Sequence, residues 1–175
     1  MGKAAKTARI AGLLCLALGM GGAAGALPAP HVSISTLKQL PVVERAPYDE
    51  NADANAAVDA VLARAKASGK LAFIDLGGNW CGDCIVLANL MRLPEVKSFI
   101  DAHYEVTLVD VGEFNKNLQI PVRFGVIDKL QGVPSVLIVD PQSGKLLDSG
   151  RIAALADARS MTPQSIADWL ALWAK

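Results

Sequence analysis

The chain has 175 residues, 52% of them hydrophobic, with 17 basic and 17 acidic side chains and three cysteines. So apolar a chain, with only 19% charged residues, is not a disordered polypeptide, and its balanced charge excludes a nucleic-acid-binding surface as a chain-wide property. Its length suits one compact core.

Residues 1–26 carry Lys3, Lys6 and Arg9 ahead of an apolar, small-residue stretch that contains no acid. A basic start, an apolar centre around Leu13 to Leu18 and the run Ala24-Gly25-Ala26 are the parts of a secretory signal peptide, with cleavage expected before Leu27. An uncleaved membrane anchor is the alternative, weakened by the glycines of the stretch. Lipid attachment at Cys15 is disfavoured, because Leu14 precedes it where such signals want a small residue. Removing the segment takes away three basic side chains and Cys15. The exported chain is then mildly acidic and keeps Cys81 and Cys84 as its single possible pair.

Residues 27–50, with Pro28, Pro30, Pro41 and Pro47, are expected to form an extended arm, with an edge strand over about 32–37 where Val32 and Ile34 alternate. The folded domain is expected over 51–175. Val58, Val61, Leu62 and Ala65 mark an amphipathic helix over 52–67, ended by Ser68-Gly69. The apolar run 71–76 has strand length and holds one acid, Asp75. Gly77-Gly78-Asn79 breaks it, and Trp80-Cys81-Gly82-Asp83-Cys84 opens a helical pattern through Leu90 and Met91, which Pro94 kinks or restarts. Residues 104–111 alternate as a strand. Residues 114–126 are ambiguous, since Pro121 argues against one long helix. Val133-Pro134 precedes a strand over 135–139, and the turn 140–144 leads into a second strand over 145–148. Thr162 and Pro163 open a last helix whose stripe is Ile166, Trp169, Leu170 and Trp173. Strands separated by helices run parallel and the hairpin pair antiparallel, so the layout is α/β with a central mixed sheet flanked by helices.

Two cysteines separated by two residues at a helix N-terminus are unequal thiols. Cys81, at the helix end, is exposed to the positive end of the helix dipole, which lowers its pKa and suits it as nucleophile. Cys84, one turn inside, is the shielded thiol that resolves a mixed disulfide. A passive structural disulfide is the competing reading. A zinc site would need about four ligands, and only His31 and His103 remain, neither at ligand spacing. Ile85 rather than histidine follows Cys84, which excludes c-type haem attachment. No metal and no cofactor is expected.

The segment Trp80-Cys81-Gly82-Asp83-Cys84 resembles the active site of the thioredoxin superfamily. Asp75, six residues before Cys81, matches the buried aspartate of that family, and Val133-Pro134 matches its cis-proline loop. The closing residues 156–163 resemble the tail of exported bacterial thioredoxin-like proteins with Asn-Trp-Cys-x-Asp-Cys sites. The resemblance implies a thioredoxin-like fold. It also implies that Asp75 takes the proton of Cys84, that the Val133-Pro134 backbone receives an extended substrate, and that Trp80 shields the site and offers an apolar contact. Gly82 and Asp83 then tune the redox balance. Asp83 departs from the proline usual there. Its carboxylate is expected to raise the Cys81 pKa and push the pair towards reduction, with Asp83→Asn reversing the effect.

The expected function is a periplasmic thiol–disulfide oxidoreductase, reducing or isomerising protein disulfides with electrons from a membrane-embedded donor. The rivals are a disulfide-donating oxidant, a binding module with a structural disulfide, and metal handling, for which the histidine spacing gives no support. Client proteins and oligomeric state leave no mark in the sequence.

Overall fold

The computed structural model describes residues 1–2 and 27–174; all but the first two residues of the expected signal peptide, Cys15 among them, lie outside the described residues. Nine helices and strands are described. They are α1 (Ala54–Ser68), β1 (Leu71–Gly77), α2 (Gly82–Leu90), α3 (Pro94–His103), β2 (Tyr104–Asp110), α4 (Gln119–Arg123), β3 (Ser135–Asp140), β4 (Lys145–Leu146) and α5 (Pro163–Ala171).

Local chemistry explains most boundaries. Asp53 caps α1 by accepting from the amides of Asn55 and Ala56 at 2.9 and 3.1 Å, and Gly69, at φ 74°, ends it in the left-handed conformation that glycine adopts without penalty. Pro94 starts a separate helix at its first position rather than kinking one helix. Thr162 accepts from the Ser165 amide at 3.1 Å, with Pro163 at the first position of α5.

The sheet has the order β2-β1-β3-β4. The α2–α3 crossover makes β2 parallel to β1, whereas β3 is antiparallel to β1 and β4 to β3. Alternation along the central strands sends Phe73, Val136 and Ile138 to one face, where they pack with Leu87 and Leu90 of α2, Val96 and Ile100 of α3, and Ile166 and Leu170 of α5. Ala72, Ile74, Leu76, Leu137 and Val139 point to the other face, against Val58, Val61 and Ala65 of α1 and Ile120 of α4. The layers are those of a thioredoxin-like α/β fold.

The arm departs from expectation in two ways. No strand forms over 32–37; a short 3-10 turn at Leu37–Gln39 is its only regular structure. Side chains of the domain take its backbone groups instead: Gln164 accepts from the Val32 amide at 3.0 Å, Glu95 from Ser33 at 2.8 Å, and Asn89 from Val43 and Glu44 at 2.9 and 3.0 Å. A segment satisfied in this way needs no sheet partner. Val32, Leu40 and Tyr48 of the arm are buried, so it contributes to the core it was expected to border. The second strand of the hairpin is also shorter than expected, because Asp148 turns inward and accepts from the Ile138 amide at 3.0 Å where a continuing ladder would run.

Candidate active site

Register assembles the site. Leu76 lies opposite Ser135, so the end of β1, which launches the dicysteine turn, stands beside the start of β3 and the loop before it. That loop carries the Val133-Pro134 bond in the cis form. The Val133 carbonyl oxygen lies 3.3 Å from Cys81 Sγ.

Cys81 caps α2: its Sγ accepts from the Cys84 amide at 3.2 Å. The two cysteines form a disulfide, with Cα atoms 5.3 Å apart. They differ in access as their positions on the helix require. Cys84 is wholly buried, while Cys81 keeps 5% of its surface. Cys81 is thus a narrow point of access rather than an openly exposed sulfur.

Asp75 is fully buried. Loss of hydration pushes its carboxyl up to about 7, an effect opposed by a hydrogen bond that the Tyr48 hydroxyl donates to Oδ2 at 2.9 Å. Oδ1 has no hydrogen-bond partner among the described residues. The Tyr48 phenol is pushed up in turn, by burial first and by the charge of Asp75 second. Asn79 fixes Tyr48 in place, accepting from its amide at 3.0 Å and donating to its carbonyl at 2.9 Å. Gly77 completes the packing: a Cβ there would collide with the Tyr48 hydroxyl and stand 2.9 Å from Cys84 Sγ. Tyr48 and Asn79 escape sequence reasoning because each finds its partners 27 to 31 residues away, Tyr48 in the site and Asn79 in the arm.

The structure places Asp83 differently from the bare carboxylate expected in the first turn. It is buried and held by Arg159, which donates from its backbone amide to Oδ1 at 2.8 Å and from Nε to Oδ2 at 3.1 Å, with Nη2 3.0 Å from the same oxygen. The Arg159 pKa is raised by that hydrogen bond and by the Asp83 charge. The guanidinium lies across Gly82, with its atoms 3.1 to 3.3 Å from where a Cβ would project. The carboxylate expected to oppose a Cys81 thiolate is therefore countered by a cation that the chain brings back over the same turn from residue 159. The tail around residues 156–163 has a physical role, as the segment that binds the second variable position of the motif.

Trp80 is 53% exposed. Its indole N–H donates to the Gly112 carbonyl at 2.9 Å, and Phe114 meets its ring edge-on at 6.1 Å between centroids. The ambiguous region after β2 thus builds the seat of Trp80. Its turn is held by Asp110, which accepts from Lys116 Nζ at 2.7 Å and from the Gly112 amide at 3.1 Å. His103 ends α3 and Tyr104 opens β2, away from any role at the sulfurs.

Chemically, the arrangement offers one sulfur at a helix N-terminus with limited access, a second sealed beneath it, and a buried carboxyl titrating near neutrality on that sealed side. A family model described as thioredoxin-like matches residues 53–141. Among solved structures, the chain is similar to a disulphide isomerase from Xylella fastidiosa Temecula1, at 37% identity over 71% of this chain and 94% of that one, with a TM-score of 0.66. A more distant likeness is to a Pseudomonas aeruginosa protein of unknown function, at 17% identity over 79% of this chain and 97% of that one, with a TM-score of 0.37. No curated protein matches it. The chain belongs to the thioredoxin-like family, and its cysteine pair makes it a thiol–disulfide oxidoreductase.

Proposed function

We propose that the protein reduces or isomerises disulfides of exported proteins in the periplasm and is itself returned to the dithiol by a membrane-embedded electron donor. The observation that carries the reading is the asymmetry of the pair, Cys81 at the access point beside the Val133 carbonyl and Cys84 sealed on the side of a buried carboxyl. The similarity to a protein described as a disulphide isomerase supports the direction. Asp83 does not, because its charge is paired with Arg159.

In this reading the Cys81 thiolate attacks a client disulfide, forming a mixed disulfide and expelling one client sulfur as thiolate. For reduction, Cys84 gives its proton to Asp75 and attacks Cys81 Sγ. The Cys81–client bond breaks, the second client sulfur leaves with the electron pair, and the protein holds the Cys81–Cys84 disulfide. For isomerisation, the freed client thiolate attacks a neighbouring client disulfide, the thiolate released there attacks the client sulfur of the mixed disulfide, and Cys81 leaves with the electron pair, so that the client holds a new disulfide and the protein recovers its dithiol. The Val133-Pro134 backbone receives the client as an extended strand, and Trp80 gives it an apolar contact.

Equilibration with glutathione tests the direction. A reductant or isomerase is expected well below the potential of a strong periplasmic oxidant, about −120 mV; a value there overturns the reading in favour of a disulfide donor. Cys84→Ser is expected to accumulate mixed disulfides through Cys81 in the periplasmic fraction. Their absence, with the variant folded, would leave a binding module with a structural disulfide.

A further inference from the structure

The resolving step requires Cys84 to lose a proton inside a wholly buried site. Asp75 has two oxygens that could receive it, and the structure distinguishes them. Oδ2 is occupied by the Tyr48 hydroxyl at 2.9 Å, whereas Oδ1 is buried with no hydrogen-bond partner among the described residues. Asp75 and Gly77 share one side of β1 by alternation. On that side, a single point, the Cβ direction of Gly77, is approached by both the Tyr48 hydroxyl and Cys84 Sγ. Hydroxyl, carboxyl and sulfur therefore form one cluster, and its phenol comes from the arm outside the segment that the family model matches.

We propose that Tyr48 is the positioning residue of the resolving step, holding Asp75 through Oδ2 so that Oδ1 is the acceptor for the Cys84 proton. The proposal rests on the exchange reading above and assigns a role to a residue that the motif does not contain. In that step the Cys84 S–H bond breaks with its proton passing to Asp75 Oδ1, the Cys84–Cys81 bond forms, the Cys81–client bond breaks, and the client leaves as thiolate. The Tyr48 proton stays on its own oxygen throughout, because burial and the neighbouring carboxylate both hold that phenol protonated. The donated bond stabilises the carboxylate, the form able to accept.

The groups that bear on this titration are few. Tyr48 faces Asp75 from the arm and Cys84 from α2. Asp110, at the end of β2, acts on Tyr48 and is itself paired with Lys116. The facing positions of β3, Val136 and Ser135, carry no charge.

Tyr48→Phe keeps the ring and removes the donor. Reduced protein mixed with excess dithiobis(nitrobenzoate) releases one coloured thiolate when Cys81 attacks and a second when Cys84 resolves, so stopped-flow absorbance separates the two steps. In Tyr48→Phe the first phase is expected to be unchanged. The acid limb of the second should move to higher pH. For every pH unit that it moves, the second phase slows about tenfold below neutrality, and in alkali it converges with the parent. An unchanged pH profile of the second phase, or equal slowing of both phases, overturns the proposal. Should Tyr48→Phe fail to fold, a fluorinated tyrosine at position 48 preserves shape and strengthens the donor. It must move the same limb to lower pH, and an unmoved limb overturns the proposal. The carboxyl infrared band of Asp75, assigned by its loss in Asp75→Asn, reports the same change in titration in the oxidised protein without any exchange. A protein that released neither thiolate but whose Asp75 band still moved would have lost the exchange reading, while the Tyr48–Asp75 coupling stood.

Discussion

At the scale of single residues, charge at the dicysteine turn is set by a pair. A thiolate at Cys81 faces the positive end of α2, the carboxylate of Asp83 and the guanidinium of Arg159, and the last two largely cancel. Removing one partner exposes the other. Asp83→Asn leaves the cation over Gly82 and is expected to lower the Cys81 pKa, whereas Arg159→Gln leaves the carboxylate alone and is expected to raise it. Asp83→Asn combined with Arg159→Gln should return close to the parent value. Thiolate absorbance followed against pH in the reduced protein reads all three. If Asp83→Asn and Arg159→Gln move the pKa in the same direction, the pair does not act through charge. The sequence shows the acid within the first turn, and so the possibility of tuning. It does not show the compensation, because Arg159 lies 76 residues downstream and its approach depends on how the chain returns to the site after β4.

Among elements, the arm is the piece whose position the sequence leaves open. Proline content argues correctly that it is not a central strand, but the alternation of Val32 and Ile34 suggests an edge. What replaces the edge is a set of long-range bonds to side chains of α2, α3 and α5, and no periodicity encodes such bonds. The helices of the domain were legible because each carries its own signals: an apolar stripe at 3.6-residue spacing, a capping Asp53 or Thr162, a Pro at the first position. Asn89 is the main fastening between arm and domain. Its Oδ1 accepts from the Val43 and Glu44 amides, and its Nδ2 donates to the carbonyls of Glu44 and Ile85 at 2.7 and 2.8 Å. Asn89→Ala strands those groups in a poorly hydrated seam, at an expected cost of roughly 1–3 kcal/mol. Urea unfolding measures that loss. The release of the arm should also appear as faster tryptic cleavage after the exposed Arg45, and an unchanged cleavage rate would mean that Asn89 does not hold the arm.

At the scale of the whole molecule, two carboxyls among the described residues are pushed up by burial, Asp75 beneath the site and Asp148 at the end of the hairpin. Loss of hydration raises Asp75 from its ordinary 3.8 to about 7, and Asp148 from 3.8 to about 6 against the opposing hydrogen bond from the Ile138 amide. Between the ordinary and the raised value the folded protein binds more protons than the unfolded chain, so raising the pH through that window lowers stability. For Asp75 the loss runs from about pH 4 to about pH 7 and is complete above it. At about 1.4 kcal/mol per pH unit, it amounts to several kcal/mol. The same burial that gives Cys84 a base near neutrality therefore makes the fold less stable at neutral pH than in mild acid. Asp75→Asn, similar in shape and without charge, is expected to stabilise the oxidised protein by several kcal/mol above pH 7 and to change it little near pH 4. The part of the decline that remains then belongs to Asp148. Urea midpoints of Asp75→Asn and its parent measured across pH 4 to 8 separate the two contributions, and parallel curves would mean that Asp75 titrates alike in the folded and unfolded chains.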